Sequence, residues 1–418
     1  MRQAYQVKTA EQDVEDAAVR LAGVLPASPL QRSDRLSARV AGEVWLKRED
    51  LQPVRSYKGR GAYNLIAQLG TAQRTSGVVC ASAGNHGQGV AFACNALQVH
   101  GRVYVPRTTP RQKRDRIALL GGPLVEVLVV GDTYDEAACA AREDSGRTGA
   151  VLVPAFDDPR TIAGQGTVVR EVVGQLGRLP DLLVVPVGGG GLLAGTVSWL
   201  GDRGVRVVGV EPAGAACMAA ALAAGEPVDL KELDGFVDGA AVRRAGDVTF
   251  PLVRDAGTEL MAVAEGRVCT EMLALYQADG IIAEPAGALA PAALGDVLHP
   301  APGTTTVCVL SGGNNDVSRY AEVVERALVH EGRKHYFLVD FPQEPGALRR
   351  FLDEVLGPDD AITLFEYVQR STRETGPALV GIELSRPEDL GGLLERLEAS
   401  PPRITPVAAD SPLFRFLL

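Results

Sequence analysis

The sequence has few of the features that mark secreted, metal-binding or membrane-spanning proteins. Among 418 residues there are five histidines and six scattered cysteines, without a CxxC pair. This pattern favours buried thiols in a reducing cytoplasm over disulfides or a zinc site. No apolar run approaches the ~20 residues that a membrane span needs, and no apolar stretch follows a basic start. We therefore expect a cytoplasmic protein without a bound metal.

An excess of basic residues is also lacking. The chain has 42 Lys and Arg against 52 Asp and Glu, a net charge of −10. This balance argues against a protein that binds nucleic acid or an anionic membrane. It still allows a small anionic ligand held by backbone dipoles. Only six of the basic residues are lysines, so a lysine in a distinctive setting is informative.

Short β-branched runs alternate with Ala-rich helical patterns from about residue 44 to residue 330. The longer apolar runs predict strands buried on both faces, as in parallel sheets covered by helices. Ligands of such folds bind at the carboxyl ends of the strands, where we expect the chemistry. Helices are predicted at 85–99 and 158–176. The predicted strands are 44–46, 77–80, 102–105, 125–130, 151–153, 182–187, 205–210, 261–263, 280–282 and 305–310.

The pattern changes after a predicted connecting helix at 318–333. A β-α-β-β-α order follows over ~85 residues, which is consistent with a small ferredoxin-like α+β domain. Its predicted elements are strand 335–341, helix 345–356, strands 362–369 and 378–384, and helix 387–399.

Lys58 stands at a predicted helix start, after the strand and loop that begin at Trp45. A lysine amine can form an imine with an aldehyde, which arginine cannot. A helix N-terminus disfavours a fixed cation and suits a neutral amine. Taken alone, the segment is more typical of an ordinary surface lysine at a helix N-terminus than of a reactive one.

The turn at 80–89 joins a predicted strand to a predicted helix and is rich in small residues. Small residues leave backbone N–H groups free, and a helix N-terminus attracts a carboxylate. Asn85 could also hydrogen-bond a ring hydroxyl. A plain strand-to-helix turn with an N-cap is an equal alternative for this segment.

Four consecutive glycines, 188–191, lie between a predicted strand and a predicted helix. They are costly in chain entropy, and a phosphate cradle at a helix N-terminus would explain them. The segment lacks the lysine of a nucleoside-triphosphate loop and the spaced glycines of a dinucleotide site. A flexible linker is disfavoured between two apolar elements.

Two further turns carry polar groups at strand ends. Ser311 opens the segment 311–316, where its hydroxyl could face a ring nitrogen or the segment could be a polar cap. Glu284 precedes a predicted helix, and we weigh a pocket carboxylate and a helix N-terminal charge about equally.

A reactive lysine, a carboxylate-binding turn, a phosphate cradle and a ring-nitrogen partner together fit one cofactor, pyridoxal phosphate. These segments resemble the fold-type II pyridoxal-phosphate enzymes, and in particular the threonine dehydratase branch. The resemblance covers nearly the whole chain, because 341–348 is similar to the opening of the ACT-like regulatory module of biosynthetic threonine dehydratases. The motifs that carry it are KRED (47–50), SYK (56–58), SAGNHGQG (82–89), the glycine loop and SGGNND (311–316).

The resemblance implies an α/β catalytic domain at 1–325 with two open parallel-sheet subdomains, similar to the tryptophan synthase β fold. The smaller subdomain, at about 52–155, is inserted in the larger one. A small α+β ferredoxin-like, ACT-like regulatory domain follows at 326–418, including the connecting helix. One such module is expected, whereas some relatives carry two.

The same resemblance assigns the site residues. Lys58 would be the catalytic residue and would carry the cofactor. The substrate carboxylate would lie at Ser82, Ala83, Gly84, Asn85 and His86. The other implied cofactor contacts are Tyr57 and Gly239 along the ring, Asn85 at the ring 3-hydroxyl, Ser311 at the ring nitrogen, and Gly188, Gly189, Gly190, Gly191 and Leu192 at the phosphate.

The implied reaction converts L-threonine to 2-oxobutanoate and ammonia, as the first step of isoleucine biosynthesis, with isoleucine as inhibitor and a homotetramer as assembly. A dehydratase that prefers L-serine is an alternative. A non-catalytic amino-acid sensor is another, but it would be marked by loss of Lys58 or of the glycine loop, and both are present.

Racemisation is the closest rival chemistry. Related serine racemases carry a serine where Ala83 stands, and alanine cannot move a proton. Those relatives also bind a divalent cation near the segment that matches 211–217. Here Cys217 replaces the expected second acidic residue, so no bound metal is expected at Glu211.

Overall fold

The computed structural model describes residues 10–367, 375–400, 403–408, 411, 413–414 and 417. The chain divides into two compact units. The first comprises Met1–Glu265 and Ala274–Asp316, and the second comprises Gly266–Leu273 and Val317–Leu418. None of the helices in the described part of the chain has the length and apolar character that a membrane crossing requires.

The first unit alternates strands and helices along the chain. Its strands are β1 (Leu30–Arg32), β2 (Glu43–Arg48), β3 (Val78–Ala81), β4 (Gly101–Val105), β5 (Val125–Val129), β6 (Val151–Leu152), β7 (Leu182–Pro186), β8 (Arg206–Pro212), β9 (Glu259–Val263) and β10 (Thr305–Leu310). Its helices are α1 (Glu11–Leu21), α2 (Asp34–Val40), α3 (Lys58–Ala67), α4 (Thr71–Ser76), α5 (Asn85–Leu97), α6 (Arg111–Gly121), α7 (Tyr134–Thr148), α8 (Pro159–Leu176), α9 (Gly191–Leu200), α10 (Cys217–Ala224), α11 (Thr249–Asp255), α12 (Glu265–Gln277, of which 266–273 belongs to the second unit) and α13 (Pro285–Ala293).

The strands of the first unit form two sheets. The larger has the order β1-β2-β10-β7-β8-β9, with an antiparallel pair at the β1 edge and parallel pairs elsewhere. The smaller has the order β5-β4-β3-β6 and is parallel. Every residue of the central strands β7 and β10 is buried, because helices cover both faces. The predicted α/β class with two parallel sheets is confirmed.

The second unit builds one antiparallel sheet with helices. Alternate residues of the first strand, including Phe337, Val339 and Phe341, are buried in its core, and the Phe341 ring meets Phe351 edge to face at 5.0 Å. The elements are α14 (Tyr320–His330), β11 (Lys334–Pro342), α15 (Ala347–Val355), β12 (Ala361–Tyr367), β13 (Thr375–Glu383), α16 (Leu390–Ala399) and β14 (Arg403–Pro406).

The sheet order of the second unit is β12-β13-β11-β14. This is the split β-α-β arrangement of a ferredoxin-like fold, as predicted. The short edge strand β14 was not predicted, since Arg403–Pro406 lacks an apolar run. The end of the strand predicted at 362–369 lies outside the described residues.

One strand prediction is wrong. Residues 280–282 form no strand, although Ile281 and Ile282 are β-branched. Gly280 has a left-handed φ of 65° and terminates α12, and the Ile281 N–H donates to the Leu275 carbonyl at 2.8 Å. This segment therefore closes a helix C-terminus, where a left-handed glycine is common, and its backbone is not available to the sheet.

A buried charge network ties the start of α3 to its surroundings. The Arg60 guanidinium, 1% exposed, donates to both carboxylate oxygens of Glu49 at 2.8 and 2.9 Å, and to both of Glu171 at 2.6 and 2.8 Å. Its remaining N–H donates to Thr167 at 3.1 Å, so all five donors are used. Burial opposes the charge of Arg60, but the two carboxylates raise its pKa above the ordinary value.

Lys47 completes this network. Its ammonium donates to Glu171 at 2.6 Å, to the Ser28 carbonyl at 2.7 Å and to Gln175 at 3.0 Å. Two cations and two anions thus meet within the core, and each charge is compensated. We call Lys47, Glu49, Arg60 and Glu171 the buried charge cluster. It joins the end of β2, the start of α3 and the middle of α8.

We predict that Glu49→Gln lowers the free energy of unfolding by about 3–5 kcal/mol, because it leaves a buried guanidinium short of one charge. Urea unfolding monitored by circular dichroism measures this. The matched control is Glu43→Gln, which breaks the half-exposed Arg178–Glu43 pair of 2.9 Å and should change stability by less than about 1 kcal/mol. Equal losses of unfolding free energy in the two variants would show that the buried charge cluster stabilises the fold no more than a surface ion pair does.

Candidate active site

Lys58 lies at the point where three segments of the first unit meet. It is the first residue of α3, and the N–H of the preceding Tyr57 donates to the Ser311 carbonyl at 3.2 Å. The Lys58 amine is 3.4 Å from the Ala155 carbonyl oxygen and 4.9 Å from the centroid of the Tyr57 ring. The predicted helix start at Lys58 is therefore observed, and Tyr57 and Ser311 lie beside it.

Ser311 follows β10 at the carboxyl end of the strand. Its buried hydroxyl donates to the Ala286 carbonyl at 3.1 Å. Next to it, Gly312 forms an antiparallel bridge with Ser56. The turn after the last central strand is thus fastened to the loop that presents Lys58.

The glycine loop lies between β7 and α9, as predicted. Gly190 has a left-handed φ of 92°, and a Cβ at this position would overlap Met218. A Cβ on Gly189 would overlap the ring of Phe156. The loop is held by the Thr249 hydroxyl, which donates to the Gly189 carbonyl at 2.6 Å. Only glycine therefore fits the central two positions.

The loop leads directly into a helix N-terminus. The Ala194 N–H donates to the Gly190 carbonyl at 2.8 Å, so hydrogen bonding within α9 begins there. The N–H groups of Gly191, buried Leu192 and Leu193 belong to the first turn, where helices leave donors without an intrahelical partner. Such donors, with the helix dipole, suit a phosphate.

Residues 155 and 156 connect the amine to the loop. The Lys58 amine lies 3.4 Å from the Ala155 carbonyl oxygen, and the adjacent Phe156 packs against Gly189 and Gly191. Lys58 and the glycine loop therefore share one dipeptide as their common neighbour. The sequence carried no sign of this, because neither Ala155 nor Phe156 belongs to a motif.

Asn85 begins α5 and is fixed at both ends of its amide. Its Nδ2 donates to Glu284 Oε1 at 2.6 Å, and its Oδ1 accepts from Asn314 Nδ2 at 2.6 Å. Gly239 is close, since a Cβ on it would lie 3.9 Å from Asn85 Nδ2 and 2.8 Å from Ala286 Cβ. Asn85 and Gly239 therefore lie close together, and Gly239 also lies close to Ala286, whose carbonyl accepts from Ser311.

Ser82, Ala83 and Gly84 form the turn between β3 and α5. The Gly84 N–H donates to the Ser82 hydroxyl at 3.3 Å, and the Gln88 N–H donates to the Gly84 carbonyl at 3.2 Å. Hydrogen bonding within α5 thus starts at residue 88 and leaves the N–H groups of the first turn for an anion.

His86 differs from its neighbours, because its imidazole is buried. Its Nε2 lies 2.8 Å from the Val153 carbonyl oxygen. Burial, with a smaller contribution from the positive charge of Lys58, lowers the pKa of His86 to about 4 against the opposing effect of the Val153 carbonyl. The ring is therefore neutral at pH 7, and any contact with a substrate would use the backbone of His86.

Glu211 is engaged by the start of α10. Its carboxylate accepts from the backbone N–H groups of Met218 at 2.7 Å and Ala219 at 2.9 Å, and burial raises its pKa to about 7. Within the described ranges, no group of three or more His, Cys, Asp or Glu side chains is arranged to hold a metal. The absence of a metal at Glu211 stays a prediction.

The residues present fit pyridoxal phosphate. The glycine loop admits no side chain at Gly189 or Gly190, which leaves a backbone cradle for a phosphate. Asn85 and Ser311 offer polar groups for the ring hydroxyl and the ring nitrogen, and Lys58 offers the amine. In the same motifs, Ser56 Oγ, Gln88 Oε1 and Asn315 Nδ2 are buried atoms without a hydrogen-bond partner among the described residues.

His86 gives a pH prediction. An unfolded chain protonates histidine near pH 6.5, so between about pH 6.5 and pH 4 the unfolded state binds more protons than the folded state. The stability that His86 contributes is fully present above pH 6.5 and is lost as the pH falls toward 4, by about 3 kcal/mol.

Urea unfolding from pH 7.5 to pH 4, in one cofactor state throughout, tests this prediction. His86→Gln should lose less stability over this range than the wild type, whereas the exposed control His299→Gln should follow the wild type. A His86→Gln profile parallel to that of the wild type would contradict the prediction.

Comparison with known proteins places this arrangement in a family. Residues 23–312 match the family of pyridoxal-phosphate dependent enzymes, and residues 325–417 match the C-terminal regulatory domain of threonine dehydratase. The chain is 62% identical over 410 residues to the biosynthetic L-threonine dehydratase IlvA of Mycobacterium tuberculosis, covering 97% of this chain and 95% of the relative. It is 46% identical to that of Bacillus subtilis, covering 100% and 97%.

Solved structures agree with this. The processed form of threonine deaminase isoform 2 from Solanum lycopersicum is similar with a TM-score of 0.71 and 36% identity, covering 77% of this chain and 95% of that one. Maize serine racemase is similar with a TM-score of 0.70 and 28% identity, covering 77% and 98%. The chain therefore belongs to the family of biosynthetic threonine dehydratases, pyridoxal-phosphate-dependent enzymes with a C-terminal regulatory domain.

Proposed function

We propose that this chain converts L-threonine to 2-oxobutanoate and ammonia, in the cytoplasm, as the first step of isoleucine biosynthesis. The observation that carries the proposal is the position of the Lys58 amine, beside Tyr57 and within 3.4 Å of the Ala155 carbonyl. The adjacent Phe156 packs against the glycine loop. An imine-forming amine and a phosphate cradle with a common neighbour suit this cofactor.

Lys58 is the base of the proposed reaction. When bound, pyridoxal phosphate supplies the electron-withdrawing ring that stabilises negative charge at the substrate α-carbon. The Lys58 amine takes the α-proton. The Tyr57 ring, whose centroid is 4.9 Å from the amine, limits the directions that the amine can take.

Backbone groups bind the two anions. Gly188, Gly189, Gly190, Gly191 and Leu192 hold the cofactor phosphate through their amides at the start of α9. The segment from Ser82 to His86 receives the substrate carboxylate at the start of α5. Both sites use a helix N-terminus, where the dipole and the free N–H groups favour negative charge.

Ser311 and Asn85 contact the ring in this proposal, and Gly239 lies along it. Ser311 is neutral, so it lacks the negative charge that would hold a proton on the ring nitrogen. This favours prompt loss of the β-hydroxyl. Ala83 argues against racemisation, because its methyl group cannot deliver a proton to the opposite face of the substrate.

The proposed domains are a catalytic domain at 1–325, with a smaller subdomain at about 52–155, and an ACT-like regulatory domain at 326–418. The division between two structural units near residue 317 and the family matches that end at 312 and begin at 325 support this proposal. We also propose a homotetramer, following the family.

We propose that isoleucine binds in the regulatory domain. A cavity of about 460 Å³ lies between β11, α15 and β12. Its apolar wall suits a branched side chain, and its charged rim suits an amino acid's ammonium and carboxylate groups. The wall includes Phe341, Leu352 and Phe365, and the rim includes Glu344 and Arg349.

We predict that Lys58→Ala abolishes the visible absorbance of bound pyridoxal phosphate and lowers turnover of threonine by at least about 1,000-fold, because both the covalent anchor and the base are lost. An absorbance spectrum and a 2-oxoacid assay with threonine, then serine, measure this. Lys113→Ala, which removes another of the few lysines, is the control and should keep the absorbance. A variant without Lys58 that keeps both absorbance and turnover would refute the proposal, and faster turnover of serine would favour a serine dehydratase.

A second prediction concerns the effector. Leu352→Ala should raise the isoleucine concentration for half-maximal inhibition by about tenfold, since apolar contact is lost. Leu394→Ala is a matched control, because both leucines are 37% exposed and Leu394 lies on α16, outside the cavity. Isoleucine titration of the initial rate measures both variants. The same shift in both, or no effect of isoleucine on the wild type, would contradict this site.

A further inference from the structure

The site contains a buried carboxylate, that of Glu284. Neither the motifs nor the proposed reaction gives this carboxylate a role. Glu284 immediately precedes α13, yet its side chain does not cap that helix, and only 4% of its surface is exposed. No Lys or Arg in the described ranges forms an ion pair with it. A helix N-terminal charge, one of the two interpretations of the sequence, therefore does not account for it.

The contacts of Glu284 lead to Asn85. Glu284 Oε1 accepts from Asn85 Nδ2 at 2.6 Å, and Asn314 Nδ2 donates to Asn85 Oδ1 at 2.6 Å. Asn314 is itself fixed by a bond to the Val54 carbonyl at 2.8 Å. The amide orientation of Asn85 is thereby set, and one of its two N–H groups is committed to Glu284. The second N–H remains for another acceptor.

Two glycines of the site lie close to this pair of side chains. A Cβ on Gly239 would be 3.9 Å from Asn85 Nδ2 and 3.4 Å from Glu284 Oε1. A Cβ on Gly312, next to Ser311, would overlap the same carboxylate oxygen. Glu284 Oε1 is therefore close both to Gly239, which is expected along the cofactor ring, and to Gly312, which follows Ser311.

We propose that Glu284 is a positioning residue, which holds the Asn85 amide so that its second N–H donates to the ring 3-hydroxyl of pyridoxal phosphate. The inference rests on the proposed function, because it needs the cofactor ring at Asn85. It explains why a carboxylate is kept in the interior, where an uncompensated charge is costly. The carboxyl group of Glu284 can keep a proton near neutral pH. Burial, and then the negative charge of Asp238, raise the pKa of Glu284 to about 7, while the hydrogen bond from Asn85 and the positive charge of Lys113 oppose this.

The test compares cofactor binding by Glu284→Ala, Glu284→Gln and the wild type. Each full-length protein is stripped of cofactor and titrated, followed by absorbance, with pyridoxal phosphate and with its 3-deoxy analogue, which lacks the ring hydroxyl. Glu284→Ala should bind pyridoxal phosphate about tenfold more weakly, as expected for one lost hydrogen bond in a buried site. Glu284→Gln keeps an acceptor oxygen and should restore binding to within about threefold.

The 3-deoxy analogue separates positioning from a general structural role. With this analogue, the wild type and Glu284→Ala should bind alike, because the contact that Glu284 organises is missing in both. The inference would be overturned if Glu284→Ala lost the same affinity for both ligands, or if its affinity for pyridoxal phosphate were unchanged. It would also be overturned if Glu284→Gln bound pyridoxal phosphate as weakly as Glu284→Ala does.

A further variant tests the hydrogen bond that Asn314 donates to Asn85 Oδ1. Asn314→Ala releases Asn85 Oδ1 and should show the same dependence on the ring hydroxyl, and it decides the question if Glu284→Ala fails to fold. The proposed function fails separately, if the wild-type protein takes up no pyridoxal phosphate or does not turn over threonine. Failure to take up the cofactor would overturn this inference as well.

Discussion

The arrangement of the site depends on the buried charge cluster around Arg60. Arg60 is two residues beyond Lys58 on the same first turn of α3, and its planar fork is held on one side by Glu49 and on the other by Glu171. A bidentate guanidinium fixes direction as well as distance. The helix that presents the reactive amine is therefore locked in rotation and in register against β2 and α8.

Around this fixed helix, the site is built from turns that follow parallel strands. The segments that hold Asn85, Gly188 and Ser311 come after β3, β7 and β10. Because β3 runs parallel to its neighbours in the smaller sheet, and β7 and β10 run parallel to each other in the larger one, each turn lies at the carboxyl edge of its sheet. The hydrogen bond of 2.6 Å between Asn314 and Asn85, which are 229 positions apart, joins the turn after β10 of the larger sheet to the turn after β3 of the smaller one.

Much of this could be predicted from the sequence, because the informative residues are locally unusual. The glycine run, the helix start at Lys58 and the small-residue turn before Asn85 each carry a local conformational requirement that the structure meets. The strand prediction at 280–282 failed because two isoleucines suggest a strand while the backbone closes α12. The role of Glu284 was left open because its partner lies 199 residues away, and no local pattern encodes such a contact.

The position of β10 has a consequence for how the protein is made. This strand is the last of the first unit in chain order, yet it inserts between β2 and β7 near the middle of the larger sheet. Ser311 and Asn314 follow it directly. A chain emerging from the ribosome therefore cannot complete its ring-binding groups until roughly three quarters of it has been synthesised, and until then the larger sheet has an open gap with unpaired edges, which are prone to association.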